Sequence, residues 1–276
     1  MPEAAVPSGE SAEEGDTSFD VVEPGIAVLT LRRPQRLNAL TDASVVEIGR
    51  RLDAVNADPS LRVLIITGAG RGFCAGFDLG EAASAPGQDA HGEAAAWTLR
   101  QEAFASLVTR LRGLRVPVIA AVNGPANGAG LGLALAAEIR IAGCAAMFNA
   151  AFVRVGMSAC DIGVSWLLPR AVGTSRAFDI MLTGRMVEAA EAERIGLVSE
   201  TVDDARLLPR ALEIARAIAA NSAFGVWMTK RGAWANLEAA SLHAALELEN
   251  RTQILARSTG ELQRAAEAFA QRKPRA

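Results

Sequence analysis

The stretch Val63-Leu-Ile-Ile-Thr-Gly-Ala-Gly-Arg-Gly-Phe-Cys-Ala-Gly76 decides the fold, because a short apolar run in it passes directly into a glycine-rich loop. The run Val63–Thr67 is typical of a strand that is buried on both faces. A glycine-rich turn after such a strand leaves backbone N–H groups without partners at the edge of the sheet. These groups can bind a phosphate group, or the negative charge that develops on an oxygen atom during a reaction.

A second apolar strand and glycine-rich loop follow at Val116–Val122 and Asn123–Gly132. Neither loop is a nucleotide motif. The third glycine of Gly68–Phe73 comes one place early for dinucleotide binding, and the second loop lacks the Lys-Ser/Thr ending of a P-loop. Glycines can also serve only tight turns and close helix packing. Two such loops, each directly after a buried strand, favour an anion site built from backbone N–H groups.

The rest of the chain divides into an α/β part and a helical part. Strands are predicted at Phe19–Glu23 and Ile26–Leu31, and a helix capped by Thr41 is predicted to end at Asn56. After a strand at Ile139–Ala142, helices are predicted at 164–172, 175–182, 188–195, 207–220, 223–234, 237–256 and 261–271. This order indicates an α/β core with a helical appendage. We expect a disordered tail at 1–18, a core at 19–205 and a helical C-terminal region at 206–276.

Composition excludes several classes of function. The 276 residues carry a formal net charge of −3 without a basic block, so we expect no nucleic-acid partner. No apolar run approaches the ~20 residues that cross a bilayer, and the start lacks the features of a signal peptide. The cysteines, Cys74, Cys144 and Cys160, are odd in number and widely spaced. We therefore expect neither a metal site nor a disulfide framework, and a cytoplasmic location without a membrane partner.

The order of short motifs between Val21 and Lys273 resembles the crotonase family of enoyl-CoA hydratases and isomerases. The motifs are Leu31-Arg-Arg-Pro34, Asn38-Ala-Leu40, Thr67-Gly-Ala-Gly-Arg-Gly-Phe-Cys-Ala-Gly-Phe-Asp-Leu79, Pro117-Val-Ile-Ala-Ala-Val-Asn-Gly-Pro125, Leu182-Thr-Gly184 and Ala192-Glu-Arg-Ile-Gly-Leu-Val198. The resemblance implies a ββα spiral core with a helical C-terminal trimerisation region. It also implies a homotrimer or dimer of trimers that acts on acyl-CoA in fatty-acid or related metabolism, with no cofactor beyond the coenzyme A of the substrate.

The same resemblance implies which residues form the site. The N–H groups of Phe77 and Ala129 would form an oxyanion hole, which holds the thioester oxygen of the acyl-CoA while an enolate forms. N–H groups that the fold fixes in place need little reorganisation during the reaction. The residues implied to bind coenzyme A are Arg36, Leu37, Ala75, Phe77, Asp78 and Leu79, with Phe269 and Arg272 approaching from the last helix of this or a neighbouring subunit.

The catalytic carboxylates of the family's hydratases do not match. Hydratases of the family hold water between two glutamates, and the corresponding positions here are Gly132 and Phe152, neither of which can transfer a proton. One acid, Asp161, lies just before an apolar helix, and some family members use an acid in a similar segment as proton carrier. A carboxyl buried near an acyl pocket has a raised pKa and can act as a base near neutral pH. Alternatively, Asp161 caps the following helix.

We consider three functions for this chain: an enoyl-CoA hydratase or isomerase, a non-catalytic acyl-CoA-binding protein, and a serine peptidase. A single acid suits isomerisation by a 1,3-proton shift, whereas hydration would need a water molecule held by other groups. The loss of both glutamates leaves open a non-catalytic acyl-CoA-binding protein. A serine peptidase on a related core is disfavoured, because no Gly-x-Ser-x-Gly occurs and the only histidines, His91 and His243, lie in unpromising segments.

Overall fold

The computed structural model of the chain describes residues 15–270. Its strands are β1 Thr17–Glu23, β2 Ile26–Leu31, β3 Val63–Gly68, β4 Val118–Val122, β5 Pro125–Asn127, β6 Ile139–Gly143, β7 Met147–Asn149, β8 Val187–Glu188 and β9 Glu200–Val202. Its helices are α1 Asp42–Ala57, α2 Gln88–His91, α3 Glu93–Gly113, α4 Ala129–Ala136, α5 Val164–Val172, α6 Thr174–Thr183, α7 Ala189–Arg194, α8 Leu207–Ala219, α9 Ala223–Asn236, α10 Leu242–Arg257 and α11 Glu261–Ala270.

The main sheet has six strands in the order β1-β2-β3-β4-β6-β9. The hairpin β1–β2 is antiparallel, and every later pair in this sheet is parallel. Parallel neighbours need crossover connections. Helices α1, α3 and α4 supply the first three, and α5, α6 and α7 lie in the connection from β6 to β9. A second, three-stranded sheet has the order β5-β7-β8. Single parallel bridges at Leu40–Phe77 and Cys74–Ala126 extend this second sheet. Most successive units of the fold therefore consist of two extended segments, one in each sheet, and a helix.

Both faces of the central strands β2, β3 and β4 are buried, which explains why these strands are almost continuously apolar. One face packs against α1, α3 and α4 through side chains such as Leu64, Ile66 and Val122. The other face, with Val63 and Ile65, packs against α8. The sequence groups α8 with the C-terminal helices, yet in the structure it completes the core.

Helix α9 is anchored to the core by a buried lysine. Lys230 Nζ donates to the carbonyl oxygens of Leu111, at 3.0 Å, and Val116, at 2.9 Å. It also pairs with Glu138 Oε2 at 3.2 Å, while Glu138 Oε1 accepts a hydrogen bond from Trp234 Nε1 at 2.7 Å. These contacts join α9 to the link between α3 and β4. Helix α10 packs on α9 and α11 packs on α10, and both keep most of their surface exposed.

The predicted strands and helices are present, several of them with shifted ends, and some short elements were missed. Strand β1 begins at Thr17, so Thr17 and Ser18 are not part of a tail; residues 1–14 lie outside the described residues. The short helix α2 was not predicted. Strands β5, β7, β8 and β9 were not predicted. Within residues 15–270, no helix has the length and apolarity of a membrane span.

Candidate active site

The two glycine-rich loops are joined by backbone hydrogen bonds. Cys74 N–H donates to the carbonyl oxygen of Pro125 at 3.0 Å, and the Cys74 carbonyl oxygen accepts from Asn127 N–H at 2.9 Å. The side chain of Asn123 adds a bond from Nδ2 to the Gly70 carbonyl oxygen at 2.9 Å and accepts from Gly68 N–H at 3.1 Å. The loops predicted separately from the sequence therefore form one unit.

Helix α4 begins directly against the first loop. A Cβ atom at Gly130 would lie 2.0 Å from the Cys74 carbonyl oxygen, so no other residue fits at this position without a backbone shift. Ala129 is the first residue of α4, and all eight residues of the helix are buried. The first N–H groups of a helix have no partner within it and lie at the positive end of its dipole. The Ala129 N–H is one of these groups.

The Phe77 N–H is turned away from its neighbouring strand. Leu40 N–H donates to the Gly76 carbonyl oxygen at 2.7 Å, and Asp78 N–H donates to the Leu40 carbonyl oxygen at 2.9 Å. Because consecutive N–H groups of an extended segment point to opposite sides, the Phe77 N–H faces away from Leu40. A Cβ atom at Gly76 would lie 3.4 Å from the Ala129 nitrogen, so the two donors are close neighbours. Among the described residues, neither N–H has a backbone hydrogen-bond acceptor.

Helix α3 fixes the Phe77 side chain. The Phe77 and Phe104 rings are 5.5 Å apart in an edge-to-face arrangement, and the Arg100 guanidinium lies 5.0 Å from the Phe77 ring. Arg100 donates to both carboxylate oxygens of Asp42 on α1 and, through Nη1, to the carbonyl oxygens of Glu81, at 2.9 Å, and Ser84, at 3.0 Å. This buried arginine therefore ties the loop after Phe77 to α1 and α3. No sequence signal singled it out, because its partners are distant in the chain.

Asp161 lies in the turn before α5 and is partly buried. Its carboxylate accepts a hydrogen bond from Gln101 Nε2 on α3. Burial raises the pKa of the Asp161 carboxyl, whereas the hydrogen bonds from Gln101 and the Ile162 backbone lower it. The alternative of a helix cap is wrong, because the N-cap of α5 is Gly163 and no side chain caps this helix. The Asp161 carbonyl oxygen also takes part in the turn, accepting from Val164 N–H at 2.8 Å.

Neither of the two positions at which the family's hydratases carry glutamate holds an acid in this chain. A Cβ atom at Gly132 would lie 2.6 Å from Ile162 Cγ2 and 2.9 Å from the Ile162 carbonyl oxygen. The second position holds Phe152, whose ring lies 3.6 Å from a Cβ atom built at Gly128. Neither Gly132 nor Phe152 supplies a proton donor or acceptor to this region.

The predicted coenzyme A residues of the first half of the chain come together along one edge. Ala75 N–H donates to the Leu37 carbonyl oxygen at 2.9 Å. Asp78 accepts from Arg36 and Arg33, each at 2.9 Å. The hydrogen bond from Arg36 is the main cause that lowers the pKa of Asp78 to about 2, against a raising effect of burial. Leu79 is 62% exposed beside them.

Of the two predicted residues of the last helix, one is exposed and the other lies outside the described residues. Phe269 is on α11, which packs against α10, and its ring is 75% exposed. Arg272 lies outside the described residues. Among residues 15–270, no three His, Cys, Asp or Glu side chains converge as metal ligands would. Burial raises the pKa of the Cys74 thiol to about 12, which keeps it protonated.

The arrangement combines two backbone N–H donors with one carboxyl group. The donors can hold negative charge on a substrate oxygen, and the carboxyl group can accept and return a proton. Sequence reasoning named these three groups as candidates but did not name Arg100, Gln101 and Ile162. Those residues act through contacts between α3, α4 and the turn before α5, which no local pattern reveals.

The chain matches the family described as enoyl-CoA hydratase/isomerase over residues 22–275. It is 47% identical over 234 residues to the probable enoyl-CoA hydratase echA12 of Mycobacterium bovis, a match that covers 85% of this chain and 82% of that protein. It is 40% identical over 255 residues to the 1,2-epoxyphenylacetyl-CoA isomerase of Escherichia coli, covering 92% and 95% of the two chains. The crystal structure of a probable enoyl-CoA hydratase/isomerase from Mycobacterium abscessus superposes with a TM-score of 0.87 at 40% identity, covering 94% of this chain and 97% of that one.

Proposed function

This chain belongs to the enoyl-CoA hydratase/isomerase family, and on that premise we propose that it isomerises enoyl-CoA thioesters by a proton shift through Asp161. The α/β class predicted from the sequence and the assignment to a hydratase/isomerase enzyme are confirmed by these relatives. The choice between isomerisation and hydration depends on how many carboxyl groups the active site contains.

The observation that carries the proposal is the Gly132–Ile162 contact beside Asp161. A hydratase of this family uses two carboxylates to hold and split water. Here one of those positions has no room for a side chain, and the other holds Phe152. One carboxyl group with a raised pKa remains in this region. One carboxyl group is enough to move one proton, because it can return what it removes.

The proposed reaction moves a C3–C4 double bond to C2–C3. The ionised Asp161 removes a proton from C2, and the electrons of the C–H bond move onto the thioester oxygen, which the Phe77 and Ala129 N–H groups stabilise. The protonated Asp161 then gives the proton to C4 as the charge returns from the oxygen and the C2–C3 double bond forms. No water is consumed, and Asp161 ends ionised. Each fixed N–H donor contributes about 2.7–4 kcal/mol to such a transition state.

Substrate binding and assembly belong to the same proposal. The edge formed by Arg36, Leu37, Ala75, Asp78 and Leu79 would hold the coenzyme A part, with Phe269 and Arg272 contributed by this or a neighbouring subunit. Support for a homotrimer or dimer of trimers comes from the exposed apolar side chains of α10 and α11, such as Ile254 at 69% and Phe269 at 75% exposure. A cytoplasmic location, the lack of a cofactor beyond coenzyme A, and the lack of a nucleic-acid or membrane partner stay predictions.

The experiment that tests the function uses two substrates with the purified protein. Crotonyl-CoA reports hydration, and a 3-enoyl-CoA reports the double-bond shift. We expect the shift to proceed and hydration to be at background, with Asp161→Asn losing the shift. Hydration of crotonyl-CoA at a comparable rate would overturn the proposal. Tight binding of both thioesters with turnover of neither would identify the non-catalytic alternative.

A further inference from the structure

A side chain on α3 contacts the carboxylate to which the proposed function assigns the proton shift. Gln101 Nε2 donates to Asp161 Oδ1 across 60 residues of sequence. The contact joins the α3 helix to the turn before α5. The turn is otherwise fixed by its backbone, since Gly163 has φ +77° and Ile162 has φ +42°, an unfavourable value for a β-branched residue.

The position of Gln101 on α3 is itself fixed by its neighbours. Arg100, one residue earlier, is held by Asp42 and by the carbonyl oxygens of Glu81 and Ser84. Phe104, three residues later, packs against Phe77. The helix therefore has one register, and Gln101 is presented to Asp161 by the same segment that supports the Phe77 ring.

Gln101 is the polar side chain that acts on the carboxylate. Among residues 15–270, no charged side chain contributes to the pKa shift of Asp161. Helix α4, which packs against the turn through Gly132 and Ile162, contains no titratable residue. On α3, Arg100 pairs with Asp42 and Glu81, and Glu102 is exposed.

The other polar side chains near the turn do not pair with the Asp161 carboxylate either. Cys160 has an exposed thiol, and Arg170 on α5 stacks on the Trp166 ring at 3.6 Å. Two neutral donors, the Gln101 amide and the Ile162 backbone N–H, therefore oppose the effect of burial on the pKa of Asp161, and Gln101 is the larger of the two. Neither brings a positive charge into the site.

We propose that Gln101 is a positioning residue that holds Asp161 Oδ1, so that Oδ2 is the oxygen that exchanges the proton with substrate. This inference rests on the proposed function. An amide donor favours the ionised, base-competent carboxylate and fixes its rotation. A carboxylate that rotates freely would divide its time between productive and unproductive orientations, which would slow the removal of the proton from C2. Gln101 thus prepares Asp161 for the first step, in which it must be ionised.

The test compares Gln101→Met, which keeps length and volume but lacks the donor, with Glu102→Gln, which removes an exposed charge one residue away. We expect Gln101→Met to lower kcat/KM for the 3-enoyl-CoA about tenfold, the effect of losing one hydrogen bond to a charged group. The acid limb of its pH–rate profile should move to higher pH, because the hydrogen bond that lowers the pKa of Asp161 in the wild type is missing. Glu102→Gln should change neither. Gln101→Glu, which places a second carboxylate beside Asp161, should move the limb further in the same direction.

The outcomes separate the inference from the function on which it rests. If Asp161→Asn loses turnover while folded Gln101→Met keeps the wild-type rate and acid limb, the positioning role is wrong and the proposed function stands. If Asp161→Asn keeps wild-type turnover, the proposed function is wrong and the kinetic role of Gln101 falls with it. A carboxyl ¹³C NMR titration of Asp161 in the wild type and Gln101→Met then decides the contact itself. An unchanged titration would show that the amide does not act on Asp161.

Discussion

The side chain of Ile162 occupies the space into which any side chain at Gly132 would extend, with Ile162 Cγ2 2.6 Å from a Cβ atom built there. The contact lies between α4 and the turn that carries Asp161. The fit between Gly132 and Ile162 therefore bears on the reaction that Asp161 can catalyse. Water-activating chemistry cannot be restored by a single substitution at Gly132, because the backbone of Ile162 also blocks the position.

We predict that Gly132→Ala destabilises the protein by about 1–3 kcal/mol, the usual cost of overpacking a core. Ile162→Ala removes the clashing Cγ2, so the two substitutions should be coupled in a double-mutant cycle and together cost less than their sum. Urea unfolding measures each free energy. Gly113→Ala is the matched control, because a Cβ atom there meets nothing within 4 Å. Strict additivity of the two core variants would contradict the contact.

Removing the Ala129 donor should slow turnover without unfolding the helix. Ala129→Pro deletes one N–H at the first helical position, where proline is tolerated. We expect kcat to fall about 10²–10³-fold, as for the loss of one oxyanion donor. Ala129→Gly keeps the N–H and should stay within a few-fold of the wild type. Circular dichroism checks the fold, and an unchanged kcat in a folded Ala129→Pro protein would refute the assignment.

Asp161 should lower stability at neutral pH. Its folded-state pKa is raised by burial, so between the ordinary and the raised pKa the folded protein holds a proton that the unfolded chain has already lost. The free energy of unfolding therefore falls as pH rises from the ordinary carboxyl pKa through the raised one. We expect Asp161→Asn to raise Tm at pH 7, with a difference that shrinks toward pH 3. A lower Tm for Asp161→Asn at pH 7 would contradict the sign.

Asp78 should behave in the opposite way. Its pKa is lowered to about 2, mainly by the hydrogen bond from Arg36, so its contribution to stability is present above the ordinary carboxyl pKa. That contribution is lost as pH falls from about 4 toward about 2. We expect Asp78→Asn to lower Tm at pH 7 and to approach the wild type near pH 2. Thermal melts across this range measure both curves, and a constant difference would show that the ion pairs with Arg33 and Arg36 do not form.

The sequence predicts the parts of this fold that depend on burial along one segment. Strands such as β3 and β4 are continuous apolar runs because both of their faces are covered, and α5 was predicted with its observed ends. Strands β8 and β9 have two and three residues, too few for any periodicity, and form only where a partner strand is already in place. Their existence is a tertiary property.

The site divides in the same way. Glycines after buried strands mark the two loops, and the unmatched glutamate positions are visible in the sequence. That Ile162 fills one of those positions is not visible, because it depends on a left-handed backbone at a residue that rarely adopts it. The Gln101–Asp161 bond likewise depends on the packing of α3 against a turn 60 residues away.

The buried lysine that anchors α9, Lys230, can report when this helix separates from the core. The chain has two lysines, Lys230 and Lys273. Lys230 is 5% exposed, and its amine hydrogens are shared among two carbonyl oxygens and Glu138. An amine-reactive reagent can label Lys230 only when α9 has separated from the core. The labelling rate of this one residue, followed by peptide mass spectrometry, therefore measures how often the helical region detaches during the life of the folded enzyme.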